Sequence, residues 1–128
     1  MISVVILVIT ILLFTLKYLF PIFQVVGDSM YPTYFDGEIL IGTRLFRKSK
    51  LKPNDVVLYR CPTDTNKVVI KRVSNVRSCG KGKVDIYCLG DNAKHSYDSR
   101  RYGYVQDFYI VCKVIDQRRN TNHDGEEE

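Results

Sequence analysis

A serine follows the long apolar opening of the sequence, in the stretch VVGDSMYPT at residues 25 to 33. A serine hydroxyl becomes a nucleophile when a nearby base accepts its proton. Glycine, aspartate and serine also favour turns for local backbone reasons, so the stretch by itself indicates only a turn. Whether Ser29 can do chemistry therefore depends on whether the chain supplies a base.

Lys71, in the stretch VVIKRVS, is the candidate base. Side chains alternate in an extended chain, so Lys71 shares a face with Val69 and Val73, and Arg72 points to the other face. An apolar surrounding lowers the pKa of a lysine from about 10.4, because burial penalises the charged form. A neutral amine beside a serine hydroxyl forms a Ser/Lys dyad, which needs no histidine, metal or other cofactor.

A third stretch, GDNAKHSYDSRRYG at residues 90 to 103, places Ser96, Asp98 and Arg100 at alternating positions. If this stretch is extended, all three side chains face one way. Asp98 can then pair with Arg100, and Ser96 is free to hydrogen-bond an amine.

Taken in order, these stretches resemble the motifs of the bacterial type I signal peptidases, which are membrane-anchored Ser/Lys endopeptidases. GDSMYPT is similar to the nucleophile motif, DVVLYR to the next, VVIKRV to the lysine motif and GDN…S-x-DSR…G to the last. The resemblance implies that Ser29 is the nucleophile and Lys71 the general base. It also implies that Ser96 orients the lysine amine and that Asp98 and Arg100 form a supporting ion pair.

The same resemblance assigns further supporting positions. Gly27, Asp28 and Met30 fall at the oxyanion and substrate cleft, and Gly90 is a position kept small beside the lysine. Some members of the family carry a serine at the position of Gly27, and its hydroxyl helps to hold the oxyanion. Gly27 lacks that hydroxyl, so the backbone N–H of Ser29 is expected to carry more of this role.

Arg72 and Asp91 match positions that we interpret as structural support. His95 suggests a Ser/His/Asp triad with Ser29 and Asp98, but an exposed loop histidine is the ordinary interpretation and Lys71 already fits the base role. Three aromatic residues close after the nucleophile are either core residues or an exposed rim that dips into the bilayer: Tyr31, Tyr34 and Phe35.

Short β-rich runs alternate with turn residues in the rest of the chain, which predicts a mainly β fold, a compact antiparallel sheet that is open or barrel-like. The runs are EILIGTRLF (38–46), DVVLYR (55–60), KVVIKRVSNVRS (67–78), KVDIYCLG (83–90) and YIVCKVID (109–116). The predicted organisation is an anchor at residues 1–24, a peptidase domain at 25–118 and a disordered acidic tail at 119–128.

The apolar opening predicts one N-terminal transmembrane helix, because residues 2–23 supply about the 20 apolar residues that a span requires and Lys17 can snorkel to the interface. A cleaved signal would have a basic start and a small-residue exit site, and neither is present. Positive charge follows the span, in Lys17 and the run RLFRKSKLK at residues 44–52. The positive-inside rule alone would therefore make the folded domain cytoplasmic.

A net charge of +5 comes from dispersed basic residues without a stacking-aromatic or recognition-helix pattern, so no nucleic acid is expected as a partner. A solvated basic surface or a face toward anionic lipid explains the charge. The four cysteines lack a C-x-x-C pair, so no metal site is expected. A GKGK hairpin turn would keep Cys79 away from Cys88, which favours free thiols or another pairing.

The resemblance implies an enzyme that cleaves signal peptides from exported pre-proteins after small residues. It would lie in the cytoplasmic (inner) membrane as a single-pass protein with its catalytic domain on the extracytoplasmic side. Pre-protein signal peptides, membrane lipid and secretion machinery are the expected partners. The alternatives are a non-catalytic anchored relative, a dedicated peptidase of one secretion or conjugation system, and a self-cleaving Ser/Lys repressor, which the absence of a helix-turn-helix pattern disfavours.

Overall fold

The computed structural model describes residues 1–121. An apolar helix, α1, spans Ile2–Leu19, and none of its side chains is buried. Eighteen residues at 1.5 Å each give a length of about 27 Å, close to the hydrocarbon thickness of a bilayer. Within the described residues, α1 is the one helix that is long and apolar enough to cross a membrane, with a mean hydropathy of 2.5.

An antiparallel sheet follows the helix, as the sequence predicted. Within residues 1–121 it has seven strands, and their order across the sheet is β1-β2-β7-β3-β4-β5-β6. The strands are β1 Ile22–Gln24, β2 Ile39–Thr43, β3 Val56–Cys61, β4 Asp64–Gly80, β5 Lys83–Leu89, β6 Val105–Gln106 and β7 Ile110–Val114. The mainly β fold with one apolar N-terminal helix is thereby confirmed.

Two short strands, β1 and β6, were not predicted. β1 pairs with β2 in the register Phe23↔Leu40, so the first strand of the sheet lies inside the stretch that the sequence assigned to the anchor. The chain leaves α1 at Leu19 and enters β1 three residues later. The predicted tail begins at 119, and its part from residue 122 onward lies outside the described residues.

Hydrophobic clusters cover both faces of the central strand β3, because alternate residues point to opposite sides. Val56 and Leu58 belong to the first cluster, whereas Val57 and Tyr59 belong to the second. The first cluster comprises Val25, Met30, Tyr34, Leu40, Val56, Leu58, Ile70, Cys112 and Val114. The second comprises Leu51, Val57, Tyr59, Val73, Val84, Ile86, Cys88, Val105 and Ile110.

The β4–β5 hairpin turns through Gly80, Lys81 and Gly82, whose φ angles of 83°, 55° and 73° all lie in the left-handed region. Two glycines lower the conformational strain of this turn, since they adopt positive φ without a Cβ clash. The turn leaves Cys79 exposed while Cys88 is buried, and all four cysteines are free thiols.

Candidate active site

The loop that carries Ser29 joins β1 to β2 and is clamped onto residues that follow β5. Asn92 donates from its backbone N–H to the Ser29 carbonyl at 2.9 Å and from its side chain to the Asp28 carbonyl at 3.0 Å. The backbone N–H of Asp91 contacts Met30 Sδ at 3.4 Å. These contacts fix the backbone on both sides of the half-buried Ser29 side chain.

Lys71 lies in the middle of β4, opposite Val57 of β3, and is only 4% exposed. It shares the face of Val73, which belongs to the second cluster, and of Val69, which packs against that cluster. Burial lowers the pKa of Lys71, and the nearby Asp98 carboxylate offsets only part of that effect. The structure thus gives Lys71 the apolar surrounding that the strand alternation predicted.

Ser96, Asp98 and Arg100 form one hydrogen-bonded group, in which Ser96 and Asp98 have extended backbone and Arg100 lies in a short helix. Asp98 is the N-cap of a four-residue helix, α2 Ser99–Tyr102, and accepts a hydrogen bond from the Arg100 N–H at 3.1 Å. The extended conformation that would place all three side chains on one face therefore holds for Ser96 and Asp98 and ends where the helix begins at Ser99. A capping aspartate and the residue two positions later also lie close together, so the ion pair forms on this backbone as well.

Asp98 is the centre of this group. Its carboxylate accepts from Ser96 Oγ at 2.7 Å and from the Gly90 N–H at 2.9 Å, and it pairs with Arg100 at 2.6 Å. Burial disfavours the charged carboxylate, but these hydrogen bonds outweigh burial and hold the pKa of Asp98 well below its usual range. Asp98 therefore carries a full negative charge near Lys71.

Gly90 lies where Ser29 and Ser96 approach each other. A Cβ at this position would be 2.5 Å from Ser96 Cβ and 2.7 Å from the Ser29 carbonyl oxygen. Both distances are far below van der Waals contact, so any larger residue would displace one serine or the other. The structure supplies this physical reason for a small residue at position 90.

A cavity of about 380 Å³ has both Ser29 and Lys71 in its wall. One side is formed by residues 23–29 and another by residues 67–71 of β4. The remaining wall residues are Leu58, Cys61, His95 and Tyr97. Ser29 and Lys71 thus line the same space, as a Ser/Lys dyad that acts on a bound peptide would require.

A larger cavity, about 630 Å³, lies on the other side of Gly90, and its wall includes neither Ser29 nor Lys71. Its wall includes Arg72 and Asp91, which make two hydrogen bonds of 2.9 Å each. Thr33 also donates to Asp91, at 2.5 Å, so this pair ties β4 to the nucleophile loop. This geometry supports the predicted structural role of Arg72 and Asp91.

Gly27 and Asp28 line the cavity together with Ser29, whereas Met30 does not. Met30 is fully buried in the first cluster and is not among the wall residues of the cavity that holds Ser29, because its side chain turns inward under the loop. Gly27 has a φ of 89° and donates its N–H to Asp36 at 2.7 Å. That N–H is therefore already engaged within the protein.

The aromatic residues after the nucleophile divide between the two predicted roles. Tyr34 is fully buried in the first cluster, and its hydroxyl donates to the Asp116 carbonyl. Tyr31 and Phe35 are about half exposed and meet edge to face, with ring centroids 5.5 Å apart. His95 is exposed at the mouth of the cavity, as an ordinary loop histidine would be.

Sequence reasoning missed a pair of tyrosines next to the lysine, one buried (Tyr59) and one half-buried (Tyr102). Tyr59 lies opposite Val69, which places it on the face of Lys71, and its hydroxyl contacts the hydroxyl of Tyr102. Burial raises the pKa of both phenols, so both stay protonated. The alternation of β3 could have identified Tyr59 as a neighbour of Lys71, but the sequence held no signal for its contact with Tyr102.

Comparison with known proteins agrees with these features. The model of the family described as "Signal peptidase, peptidase S26" matches residues 1–77, a stretch that includes Ser29 and Lys71. The chain belongs to the peptidase S26 family. Membership rests on more than half of the chain, although the match ends before Gly90 and the Ser96–Arg100 group.

Two relatives within the family are mitochondrial proteins. The chain is 33% identical over 116 residues to mitochondrial inner membrane protease subunit 1 of Schizosaccharomyces pombe, covering 77% of this chain and 73% of that protein. It is 29% identical over 113 residues to mitochondrial inner membrane protease subunit 2 of Saccharomyces cerevisiae, covering 72% of this chain and 64% of that protein. The S26 family is shown, whereas the bacterial branch that the motifs resembled is not.

Proposed function

We propose that this S26 chain is a membrane-anchored serine endopeptidase that removes signal peptides from pre-proteins with a Ser29/Lys71 dyad. One observation carries the proposal: a lysine that is 4% exposed, with its pKa lowered by burial, lines the same cavity as a serine held in a clamped loop. A lysine buried without a catalytic role would cost stability and gain nothing.

In this mechanism, neutral Lys71 Nζ accepts the proton of Ser29 Oγ as the oxygen attacks the scissile carbonyl. The resulting ammonium donates that proton to the leaving amine, which leaves an acyl group on Ser29. Neutral Lys71 then accepts a proton from water as the water oxygen attacks the ester carbonyl. The Lys71 ammonium returns that proton to Ser29 Oγ as the ester bond breaks, which releases the second product as an acid and restores the free enzyme. The Ser29 N–H stabilises the oxyanion in both steps.

The remaining residues act through these two. Ser96 and Asp98 are hydrogen-bonded to each other near Lys71, and Arg100 balances the charge of Asp98. Gly90 lets Ser29 and Ser96 approach each other. Ser96 Oγ donates to Asp98, which leaves its lone pairs available to accept from the lysine amine. We therefore assign Ser96, Asp98 and Arg100 as positioning residues.

The test is cleavage of a pre-protein whose signal peptide has alanines one and three residues before the cut. Ser29→Ala and Lys71→Ala should each lower kcat by about 10³-fold or more. The nucleophile and the base of the proposed dyad act together, so the loss of either one disables both. Ser78→Ala and Lys67→Ala are the controls: Ser78 is exposed, and Lys67 is an exposed wall residue of the same cavity. Cleavage that survives either dyad substitution would disprove the assignment.

A second proposal concerns partners. Both relatives are named as subunits of a protease, which supports a partner subunit for this chain as well. We propose that it works beside a second membrane subunit. A tagged chain, purified in mild detergent from its native membrane, should migrate larger than a monomer and carry a second protein. A catalytically silent chain would remain inactive in that complex, and its Ser29→Ala variant would match the wild type.

We also propose that the chain is a single-pass protein of an inner membrane with its sheet domain on the side away from the compartment of synthesis. Cys79 offers the test, because it is the exposed thiol, whereas Cys61, Cys88 and Cys112 are buried. A membrane-impermeant maleimide added on the side away from the compartment of synthesis should label wild type and not Cys79→Ser. Labelling that occurs only after the membrane is permeabilised would show that the sheet domain lies on the opposite side.

A further inference from the structure

The end of helix α1 is fixed to the sheet domain by one arginine. Arg44 follows β2 and donates its backbone N–H to the Leu19 carbonyl at 2.8 Å. Its guanidinium donates to the Tyr18 carbonyl and lies 4.5 Å from the centroid of the Tyr18 ring. A cation is thereby held beside the last turn of the apolar helix.

A cavity of about 230 Å³ opens at this junction. Its wall combines two cationic side chains with apolar ones, and it contains no acidic side chain: Tyr18, Arg44, Phe46, Lys48, Ile110 and Val111. A site of this composition suits a ligand that has an anionic part and an apolar part. The proposed peptidase chemistry does not use it, since Ser29 and Lys71 lie in another cavity.

The cations of this region have no acidic neighbours in sequence. Residues 44–52 contain five basic residues and no aspartate or glutamate. Within residues 1–121, the ion pairs of the protein use other cations, namely Arg72, Arg77, Arg100, Lys113 and Arg118. The positive charge at the helix end is therefore not neutralised by the described part of the protein.

The position of the cavity selects the ligand. If α1 spans the hydrocarbon, Tyr18 and Lys17 in its last turn lie at the level of the headgroups, where aromatic and basic residues favour the interface. Leu45, next to Arg44, is 62% exposed and offers an apolar contact at the same level. At this depth the abundant anion is the phosphate of a phospholipid.

We propose that this cavity binds the headgroup phosphate of an anionic phospholipid from the leaflet that faces the sheet domain. Arg44 and Lys48 bind the phosphate, and Phe46 and Ile110 contact the apolar part of the lipid next to it. The inference rests on the proposed membrane anchoring and is independent of the dyad. It gives a physical reason for positive charge directly after the span, which the topology rule alone does not supply.

The test uses the full chain reconstituted in phosphatidylcholine vesicles with spin-labelled lipids. The motionally restricted fraction of spin-labelled phosphatidylglycerol, compared with that of spin-labelled phosphatidylcholine, gives a relative association constant. Wild type should prefer phosphatidylglycerol several-fold, and Arg44→Gln with Lys48→Gln should reduce this preference by about threefold or more. The control, Lys81→Gln with Lys83→Gln, removes two charges from residues that are not in the wall of this cavity and should keep the preference.

Lys48→Gln alone is the second variant, because Lys48 lies in a short surface turn and its loss should not disturb folding. It should lose part of the preference while unfolding at the wild-type temperature. An unchanged preference in both variants, or an equal loss in the control, would overturn the inference. So would displacement of the labelled lipid by inorganic phosphate, which would indicate a site for free anions.

Alkaline carbonate extraction separates this failure from others. A chain that carbonate releases from vesicles is not anchored, and the lipid inference fails together with the anchor. A carbonate-resistant chain without lipid preference contradicts the lipid site alone. Neither outcome bears on the peptidase assay with Ser29→Ala and Lys71→Ala.

Discussion

The burial of Lys71 has a cost in stability. Its amine lies on a face shared with valines, where a charge would be poorly solvated. The buried carboxylates of Asp91 and Asp98 form their ion pairs with arginines. The lysine therefore faces a carboxylate that is already partly compensated, and burial remains the largest influence on its pKa.

Replacing this lysine by an apolar side chain of similar length should therefore stabilise the fold. The folded pKa of Lys71 lies below the unfolded value of about 10.4, so between these two values the unfolded chain binds more protons. Wild-type stability consequently rises with pH through that window. Lys71→Met should raise the free energy of unfolding near pH 7, and the gain should shrink as pH approaches 10.4.

Urea unfolding of wild type and variant at several pH values measures this difference. Lys67→Met is the matched control, since Lys67 is exposed on the same strand. A gain in the free energy of unfolding that stays constant across pH would show that the pKa of Lys71 does not differ between the folded and unfolded states. A loss of stability near pH 7 would show that its amine makes favourable contacts that exceed the cost of burial.

Arg100 offers a test of the pH profile at the same scale. The positive charge of Arg100 helps to lower the pKa of Lys71, whereas the Asp98 carboxylate raises it. Arg100→Gln leaves Asp98 less compensated, so the pKa of Lys71 should rise. Because the base must be neutral, the ascending limb of kcat/KM should move to higher pH, and activity at pH 7 should fall by about tenfold or less.

The comparison for this experiment is Arg101→Gln, which removes an exposed charge from the adjacent position. Arg101→Gln should leave the ascending limb of kcat/KM at the same pH as in wild type. If the Arg100→Gln profile keeps its shape and only its height falls, Arg100 acts through folding or alignment and not through the pKa of Lys71.

At the scale of elements, the sequence predicted the long strands and missed the short ones. Each of the five β-rich runs overlaps an observed strand, because alternation and turn residues signal pairing over five or more residues. β1 and β6 have three and two residues, too few for a pattern to show. Their strand state comes from neighbours, Leu40 opposite Phe23 and Ile86 opposite Val105, and not from local preference.

Helix α2 illustrates a prediction that held for a different reason. The sequence paired Asp98 with Arg100 on the condition that the stretch is extended, and the structure pairs them at the start of a four-residue helix, with Asp98 as its extended N-cap. Spacing by two brings side chains together on an extended chain and also at an N-cap, so the spacing cannot distinguish these backbones. The ion pair was predictable, but the element was not.

The segment after β7 supports β3 through a side chain. The Gln117 amide accepts from the Val56 N–H at 2.8 Å and donates to the Val56 carbonyl at 3.0 Å, as a neighbouring strand would. Val56 is fully buried, so water cannot replace these bonds easily. Gln117→Ala should lower the free energy of unfolding by about 1–3 kcal/mol.

Thermal unfolding would measure this loss, which corresponds to a melting temperature lower by several degrees in a domain of this size. Gln106→Ala, at an exposed position of β6, is the control and should change the melting temperature little. A similar change in melting temperature for both glutamine variants would mean that the Gln117 side chain does not pair with the start of β3 in solution.

At the scale of the molecule, the site is assembled from three distant parts of the chain that the sheet domain holds together. Ser29 comes from the β1–β2 loop, Lys71 from β4 and Ser96 from the segment after β5. Motif order indicated which residues take part. It did not indicate how the loop is held, because the Thr33–Asp91 bond and the Asn92–Ser29 bond join residues about 60 positions apart.

The sheet domain should fold without helix α1, because none of the helix side chains is buried in it. A chain that begins at Phe20 should therefore unfold within a few degrees of the full chain when both are in detergent. Its kcat/KM for a soluble peptide should stay within about threefold of wild type. On a membrane-inserted pre-protein, however, it should fall by about 10²-fold, since the anchor no longer raises the effective concentration of enzyme at the bilayer.

Vesicles carrying the pre-protein, with either the full or the shortened chain added, give this comparison, and detergent keeps the exposed side chains of Ile22 and Val26 from driving aggregation. Equal loss on both substrates would mean that α1 contributes to the active structure and not only to location. If the shortened chain matches the full chain on both substrates, the sheet domain binds the bilayer without α1, through its own apolar and basic surface.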